Sequence, residues 1–140
     1  MDAGIKLTDE VINEFTNNLK FKPQYRALVL GADANKGEVY KIETLPKDFN
    51  YADLYAEGSA HLPQKEARFI IYDFEYEKDS MKKSDLILVA WIPSKAPPKI
   101  KFVGATVIST IKNQLQGIKR EFNCDDVSQL HIDSITSGMK

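Results

Sequence analysis

The run of residues from Leu86 to Ile92 constrains the fold most, because each of its seven side chains is apolar. A strand with one face in water alternates polar and apolar residues, so an unbroken apolar run predicts a strand buried on both faces. Such a strand needs helices on both sides of its sheet. The sequence therefore favours a layered, mixed α/β domain over a sandwich of two sheets.

Size and composition indicate one domain over residues 1–140. Of these residues 43% are hydrophobic, enough to bury a core without a metal ion or a disulfide. Cys124 is the only cysteine, and one thiol with two histidines argues against a zinc site. We expect no metal ion and no cofactor. The chain begins without a signal-peptide pattern and has no segment apolar enough to cross a bilayer, so we expect a cytoplasmic protein.

Periodic apolar residues predict the remaining elements. After Thr8 they repeat at helical spacing, with Thr8 as the N-cap and Pro23 beyond the end of the helix. A second helical stripe from Val103 to Ile118 predicts the longest helix. The other predicted elements are strands over 25–30, 38–43, 68–76 and 119–124, a hairpin connection over 31–37, a charged hairpin tip over 77–84, and short helices over 51–62 and 126–137, the latter stopped by Gly138.

Residues that could carry chemistry do not converge on one site. The segment from Gly31 to Gly37 lacks the Gly-Lys-Ser/Thr ending of a phosphate-binding loop, and it departs from the pattern of a calcium loop. His131 and Ser134 lie close in sequence, but no nucleophile elbow accompanies them. We therefore expect that the protein is not an enzyme.

Charge is distributed unevenly along the chain. Between Leu86 and Arg120 there are six Lys or Arg residues and no Asp or Glu, although the formal net charge is -1. Such a stretch can steer an acidic partner, or it can be a solvated face. Within it, Lys99 and Lys101 stand beside Phe102, an aromatic residue outside the apolar stripe of the long helix. These residues are either a soluble loop or a binding interface.

Several stretches of the sequence resemble the actin-depolymerising factor/cofilin family. Residues 67–76 read Ala-Arg-Phe-Ile-Ile-Tyr-Asp-Phe-Glu-Tyr, similar to the family's central strand, Cys-Arg-Tyr-Ala-Ile-Tyr-Asp-Phe-Glu-Tyr. Residues 83–93 resemble the next strand with its Trp-x-Pro ending, residues 96–101 the loop before the long helix, and Leu115-Gln-Gly117 the Leu-Asn-Gly that closes that helix. The resemblance covers Gly4 to about Asp133.

This resemblance implies a fold, a partner and two binding surfaces. The implied fold is α/β (α+β): a single-domain, mixed five-stranded sheet flanked by helices on both faces, with a flexible N-terminus over about residues 1–6. The implied partner is actin, both monomeric and filamentous. The first surface, for monomers and filaments, comprises Asp2, Ala3, Gly4, Ile5, Lys6, Lys99, Lys101, Phe102, Ile108 and Lys112. The second, specific to filaments, comprises Lys78, Lys82, Lys83, His131, Ser134 and Ser137.

The chain also departs from the family pattern. In the long helix Phe102 replaces the usual methionine, Gly104 a tyrosine and Ile108 a lysine. Ser137 and Gly138 stand where the family has an acid-arginine pair. Ala3 aligns with a serine that is phosphorylated in many relatives, so that switch is absent. Because the acid-arginine pair belongs to the filament surface, we expect weaker severing.

The resemblance leads to a functional hypothesis with alternatives. We expect a monomeric, cytoskeleton-associated protein that binds actin monomers and filaments and promotes depolymerisation, without a nucleic-acid partner. One alternative is a coactosin-like protein that binds the filament side without disassembling it, or a relative that acts on branches. The others are a phosphoinositide-binding module, a role that could also coexist with actin binding, and a small enzyme that uses the lysine face.

Overall fold

The structure is a computed structural model that describes residues 4–139. The strands among these residues are β1 (Lys6–Leu7), β2 (Ala27–Asp33), β3 (Glu38–Leu45), β4 (Arg68–Lys78), β5 (Met81–Trp91) and β6 (Ile118–Cys124). These six strands form one sheet in the order β1–β3–β2–β4–β5–β6. The pairs β1 with β3 and β5 with β6 are parallel, and the other pairs are antiparallel. The helices are α1 (Asp9–Asn13), which continues as a π-helix (Glu14–Lys20), α2 (Pro98–Gln114) and α3 (Ile132–Met139), with 3-10 turns at Tyr51–Asp53 and Val127–Leu130.

The apolar run in β5 is buried on both faces, as predicted. Leu88 and Ala90 belong to one core, together with side chains of α1 and α2. Ile87 and Val89 belong to a second core on the other face, with side chains of α3 and of the segment between β3 and β4. The mixed α/β fold class is therefore confirmed.

The number of strands differs from the prediction. The sheet has six strands and not five, because Lys6 and Leu7 pair with Glu38 and Val39 at its edge. A strand of two residues carries no periodic signal, so the sequence could not indicate it. The segment expected to be flexible, about residues 1–6, overlaps this part of the fold: Ile5 is 3% exposed and Lys6 lies in β1.

The first helix begins as predicted and ends differently. The Thr8 hydroxyl accepts a hydrogen bond from the Val11 amide at 3.3 Å, which confirms Thr8 as the N-cap. From Glu14 the helix widens to π geometry. Tyr25 OH donates to the Glu14 carboxylate at 2.7 Å and also contacts the Glu14 backbone carbonyl, so a residue outside the helix holds this segment.

Three local predictions are wrong. Residues 51–62 form only the 3-10 turn at Tyr51–Asp53, because non-local contacts such as the Tyr51 OH hydrogen bond to the Leu130 carbonyl at 2.7 Å hold the segment. The hairpin tip is not 77–84 but the two-residue turn Asp79–Ser80, since the strands continue to its edges. Gly138 does not stop the last helix, which runs to the buried Met139.

Candidate functional site

The helix α2 begins earlier than the sequence suggested. Pro98 occupies its first turn, where a missing N–H group costs no hydrogen bond. Lys99 and Lys101 therefore lie in the first turn of α2, and the prediction that they belong to the preceding loop is wrong. The helix fixes the spacing of these two side chains, which a loop would not.

Lys99 and Lys101 lie at the end of α2 that is unfavourable for a positive charge. The N-terminus of a helix carries a partial positive charge, which repels cations there. Lys99 Nζ donates to the Asn35 side-chain oxygen and Lys101 Nζ to the Ser94 carbonyl, and both side chains remain exposed. Because two cations are unfavourable at this position, the stability of α2 does not explain them.

Phe102 lies beside these lysines and is 84% exposed. The opposite side of α2 packs Val103, Val107 and Ile111 into the first core, so the helix shows Phe102 to solvent as its sequence position predicted. An exposed aromatic ring costs hydration free energy and adds nothing to the core. This geometry favours the interface interpretation of the lysine cluster over the soluble loop.

The segment from Gly4 to Leu7 lies next to α2. The strand β1 contacts α2, and the Lys6 amide donates to the Gly37 carbonyl at 2.9 Å. Gly4 is exposed and lies against Gly37, whereas the Ile5 side chain faces the first core. Asp2 and Ala3 lie outside the described residues.

Residues of α2 and of the segment from Gly4 to Lys6 form one surface, which we call the α2 surface. Further along the helix, Lys112 forms an ion pair with Glu121 of β6 at 2.8 Å. That pair lowers the pKa of the Glu121 carboxyl through the hydrogen bond from Lys112. Ile108 is half-buried and borders a shallow groove between α2 and β6, of about 290 Å³. The α2 surface comprises Gly4, Lys6, Lys99, Lys101, Phe102, Ile108 and Lys112.

The β4–β5 hairpin carries the basic residues of the second predicted surface. Its turn residues, Asp79 and Ser80, both adopt positive φ, of 55° and 65°. Lys82 and Lys83 are exposed. Met81, which was not among the predicted site residues, lies between the turn and these lysines and is 63% exposed. The hairpin thus offers an apolar side chain together with its lysines.

The other part of the second surface lies on α3. His131 precedes this helix, and its Nδ1 accepts a hydrogen bond from the Asp133 amide at 3.2 Å. Ser134 and Ser137 are exposed on the helix. Lys78, Lys82 and Lys83 lie on the β4–β5 hairpin, whereas Ser134 and Ser137 lie on α3, so the second predicted surface is built from two separate elements.

Three further features of the described residues concern metal binding, the thiol and membrane spans. The described part of the chain contains no group of three or more His, Cys, Asp or Glu residues that could hold a metal ion. Cys124 is buried in the second core, and burial raises the pKa of its thiol to about 11. No helix among residues 4–139 has the length and apolarity to span a membrane.

Comparison with known proteins identifies the family. Residues 4–140 match the family described as cofilin/tropomyosin-type actin-binding protein. The chain belongs to this family. Among curated relatives, actophorin from Entamoeba histolytica is 30% identical over 138 residues, which cover 99% of this chain and 96% of the relative. Cofilin from Saccharomyces cerevisiae is 30% identical over 135 residues, which cover 95% of this chain and 90% of the relative.

Solved structures share the cofilin fold. Streptomyces griseoflavus cofilin matches with a TM-score of 0.79 at 23% identity, over 95% of each chain. Human coactosin-like protein matches with a TM-score of 0.76 at 18% identity, over 97% of this chain and 88% of that one. The fold is therefore common to cofilins and coactosins, so the choice between their activities depends on the surfaces.

Proposed function

We propose that this protein binds monomeric and filamentous actin in the cytoplasm, as a monomer, and promotes filament depolymerisation. Family membership supports actin as the partner. The observation that carries the proposal is the exposed Phe102 beside Lys99 and Lys101 at the N-terminal end of α2. Exposed aromatic residues beside cations are characteristic of interface centres with charged rims.

Disassembly needs no chemical step in this proposal. A ligand shifts an equilibrium by its preference for one state over another. A protein that binds a twisted or nucleotide-aged filament form more tightly therefore populates that form, and one that binds monomers more tightly than filament subunits promotes their release. The α2 surface supplies the contact with one subunit, and the hairpin with α3 supplies the contact with its neighbour.

Severing is the weaker part of the activity in our proposal. Ser137 and Gly138 stand where family members usually have an acid-arginine pair, and exposed lysines on the hairpin contribute little each in physiological salt. We expect slower cutting than by a relative with that pair, at matched filament occupancy in single-filament microscopy. Equal cutting rates would show that Ser137 and Gly138 do not matter for severing.

Sedimentation with filamentous actin tests the proposal and separates it from its alternative. A dose-dependent loss of polymer from the pellet, with the protein appearing beside monomeric actin in the supernatant, is the expected result. Co-sedimentation without loss of polymer would instead indicate a coactosin-like side-binder. That alternative is favoured by Ile108, an apolar residue where the family usually has a lysine.

A phosphoinositide headgroup is the remaining candidate ligand for the lysines of α2. Basic side chains attract anionic lipids as well as acidic proteins. Vesicles with and without phosphoinositide, added to the same sedimentation, would show whether lipid competes with actin. Binding to vesicles in the absence of any actin interaction would favour the headgroup module over our proposal.

A further inference from the structure

The turn between β2 and β3, residues 33–37, contacts two separate parts of the α2 surface. Asn35 accepts the hydrogen bond from Lys99 Nζ. Gly37, at the other end of the turn, lies against Gly4 and accepts the amide of Lys6 at 2.9 Å. This one short turn therefore contacts both residues 4–6 and the first turn of α2.

Gly37 allows this contact because it has no side chain. Its φ is +66°, in the left-handed region that favours glycine. A Cβ atom at position 37 would stand 2.5 Å from the backbone oxygen of Gly4. That neighbour is a backbone atom, so no change of rotamer could relieve the clash. Any other residue at 37 would displace the segment that begins at Gly4.

Hydrogen bonds within the turn stabilise its conformation, so the turn can hold both residues 4–6 and Lys99 in place. The Asp33 carboxylate accepts the amides of Asn35 and Lys36 at 2.9 and 3.0 Å. The Gly37 amide donates to the Asp33 carbonyl at 2.8 Å. An aspartate that accepts hydrogen bonds from the backbone of its own turn stabilises that turn locally, without help from the elements packed around it.

We propose that this turn positions the α2 surface for actin. Gly37 fixes the position of residues 4–6 against the turn, and Asn35 holds the Lys99 ammonium through its side-chain oxygen. The inference rests on the proposed function, because it concerns the same binding surface. Gly37 and Asn35 act through other residues, so both are positioning residues.

The variant Gly37→Ala tests the first half of the proposal. We expect its affinity for monomeric actin to fall about tenfold, which corresponds to about 1.4 kcal/mol. The matched control is Gly58→Ala. Gly58 has a φ of +78°, but nothing lies within 4 Å of its Cβ position, so this variant carries the same type of backbone strain without the contact. The control should lose stability and keep its affinity.

A truncated chain that starts at Ile5 shows whether Gly37 acts through the N-terminal segment. Without Gly4 the clash disappears. In the truncated chain, Gly37→Ala should therefore cause no further loss of affinity, and a smaller loss of thermal stability than in the full chain. Contacts that act as one unit give non-additive effects of this kind. Equal losses of affinity in the full and truncated chains would overturn the proposal, since Gly37 would then act on the fold in general.

The second half of the proposal predicts coupling between Asn35 and Lys99. Asn35→Ala should weaken binding of monomeric actin about threefold in the wild-type chain and not at all in a Lys99→Ala chain. Additive effects would overturn the role of Asn35. These outcomes are distinct from a failure of the proposed function, in which the wild-type chain itself would not bind actin.

Discussion

Gly138 of α3 packs against the ring of Phe122 in β6 so closely that a Cβ atom at position 138 would stand 2.5 Å from the ring atom Cε1. This contact explains a glycine inside a helix, where alanine is usually preferred by about 1 kcal/mol. An arginine, which the family usually has at this position, would place its Cβ against the same ring.

The contact between Gly138 and Phe122 predicts that Gly138→Ala destabilises the protein. Overpacking costs about 1–3 kcal/mol and exceeds the gain in helix propensity, so we expect a net loss of about 1 kcal/mol in the free energy of unfolding. Urea denaturation followed by circular dichroism measures it. Ser137→Ala, at the exposed neighbouring position, is the control and should change stability by much less. A stabilised Gly138→Ala variant would show that Phe122 moves aside at no cost.

Replacing Lys99 and Lys101 with alanine should weaken actin binding and leave the fold intact. We expect a loss of about 1–3 kcal/mol in binding free energy if actin desolvates the two ammonium groups, and much less if they stay at the rim of the interface. Removing two cations from the start of α2 also relieves their repulsion by the helix dipole, so stability should not fall. The control is Lys47→Ala with Lys65→Ala, two exposed lysines between β3 and β4. Binding that is unchanged at low and moderate salt would remove the lysines from the site.

Phe102→Ala should reduce actin affinity by about 2 kcal/mol, the cost typical of a residue at the centre of an interface. Its ring has no role in the core, so the free energy of unfolding should stay within about 0.5 kcal/mol of the wild type. Phe21→Ala is the matched control, because Phe21 is 68% exposed and lies outside the α2 surface. Equal affinities of the two variants would show that Phe102 is an ordinary exposed side chain.

The buried thiol of Cys124 predicts how the protein behaves in alkali. Burial raises the thiol pKa from 9.0 to about 11 and the pKa of Tyr72 to about 12. A group with a raised pKa stabilises the fold fully below its unfolded pKa, and this contribution is lost as pH rises through the folded pKa. Stability should therefore fall from about pH 9 upwards, and Cys124→Ala should show a smaller fall.

Labelling of the same thiol gives an independent check. At pH 8 a pKa about 2 units higher leaves roughly a hundredfold less thiolate, so a thiol reagent should label the folded chain far more slowly than the unfolded one. Labelling at the rate of the unfolded chain, without unfolding, would contradict the burial of Cys124.

The parts of the fold that were predictable have strong local signals. The apolar run in β5, the stripe of α2 and the cap at Thr8 each follow from side chains close together in sequence. The parts that were missed depend on distant partners. Tyr25 holds the π-helix through Glu14, and the Trp91 indole donates to the Pro63 carbonyl at 2.8 Å, immediately after residues 51–62, which were expected to be helical.

The candidate site was predictable in its residues and not in its arrangement. The basic stretch and the family motif indicated Lys99, Lys101 and Phe102. The start of α2 was misplaced because the paired prolines suggested an extended turn, whereas Pro98 is accommodated in the first helical turn. Asn35 was missed because its contact with Lys99 joins positions far apart in the chain. Met81 was missed because the hairpin turn was placed too widely.

Calorimetric titration of monomeric actin with the wild-type chain tests the central claim most directly. We predict saturable binding of one molecule to one actin monomer, weakened as salt rises because lysines of the α2 surface take part. An absence of binding at low salt, with folded protein and polymerisation-competent actin, would contradict the claim that this protein acts on actin.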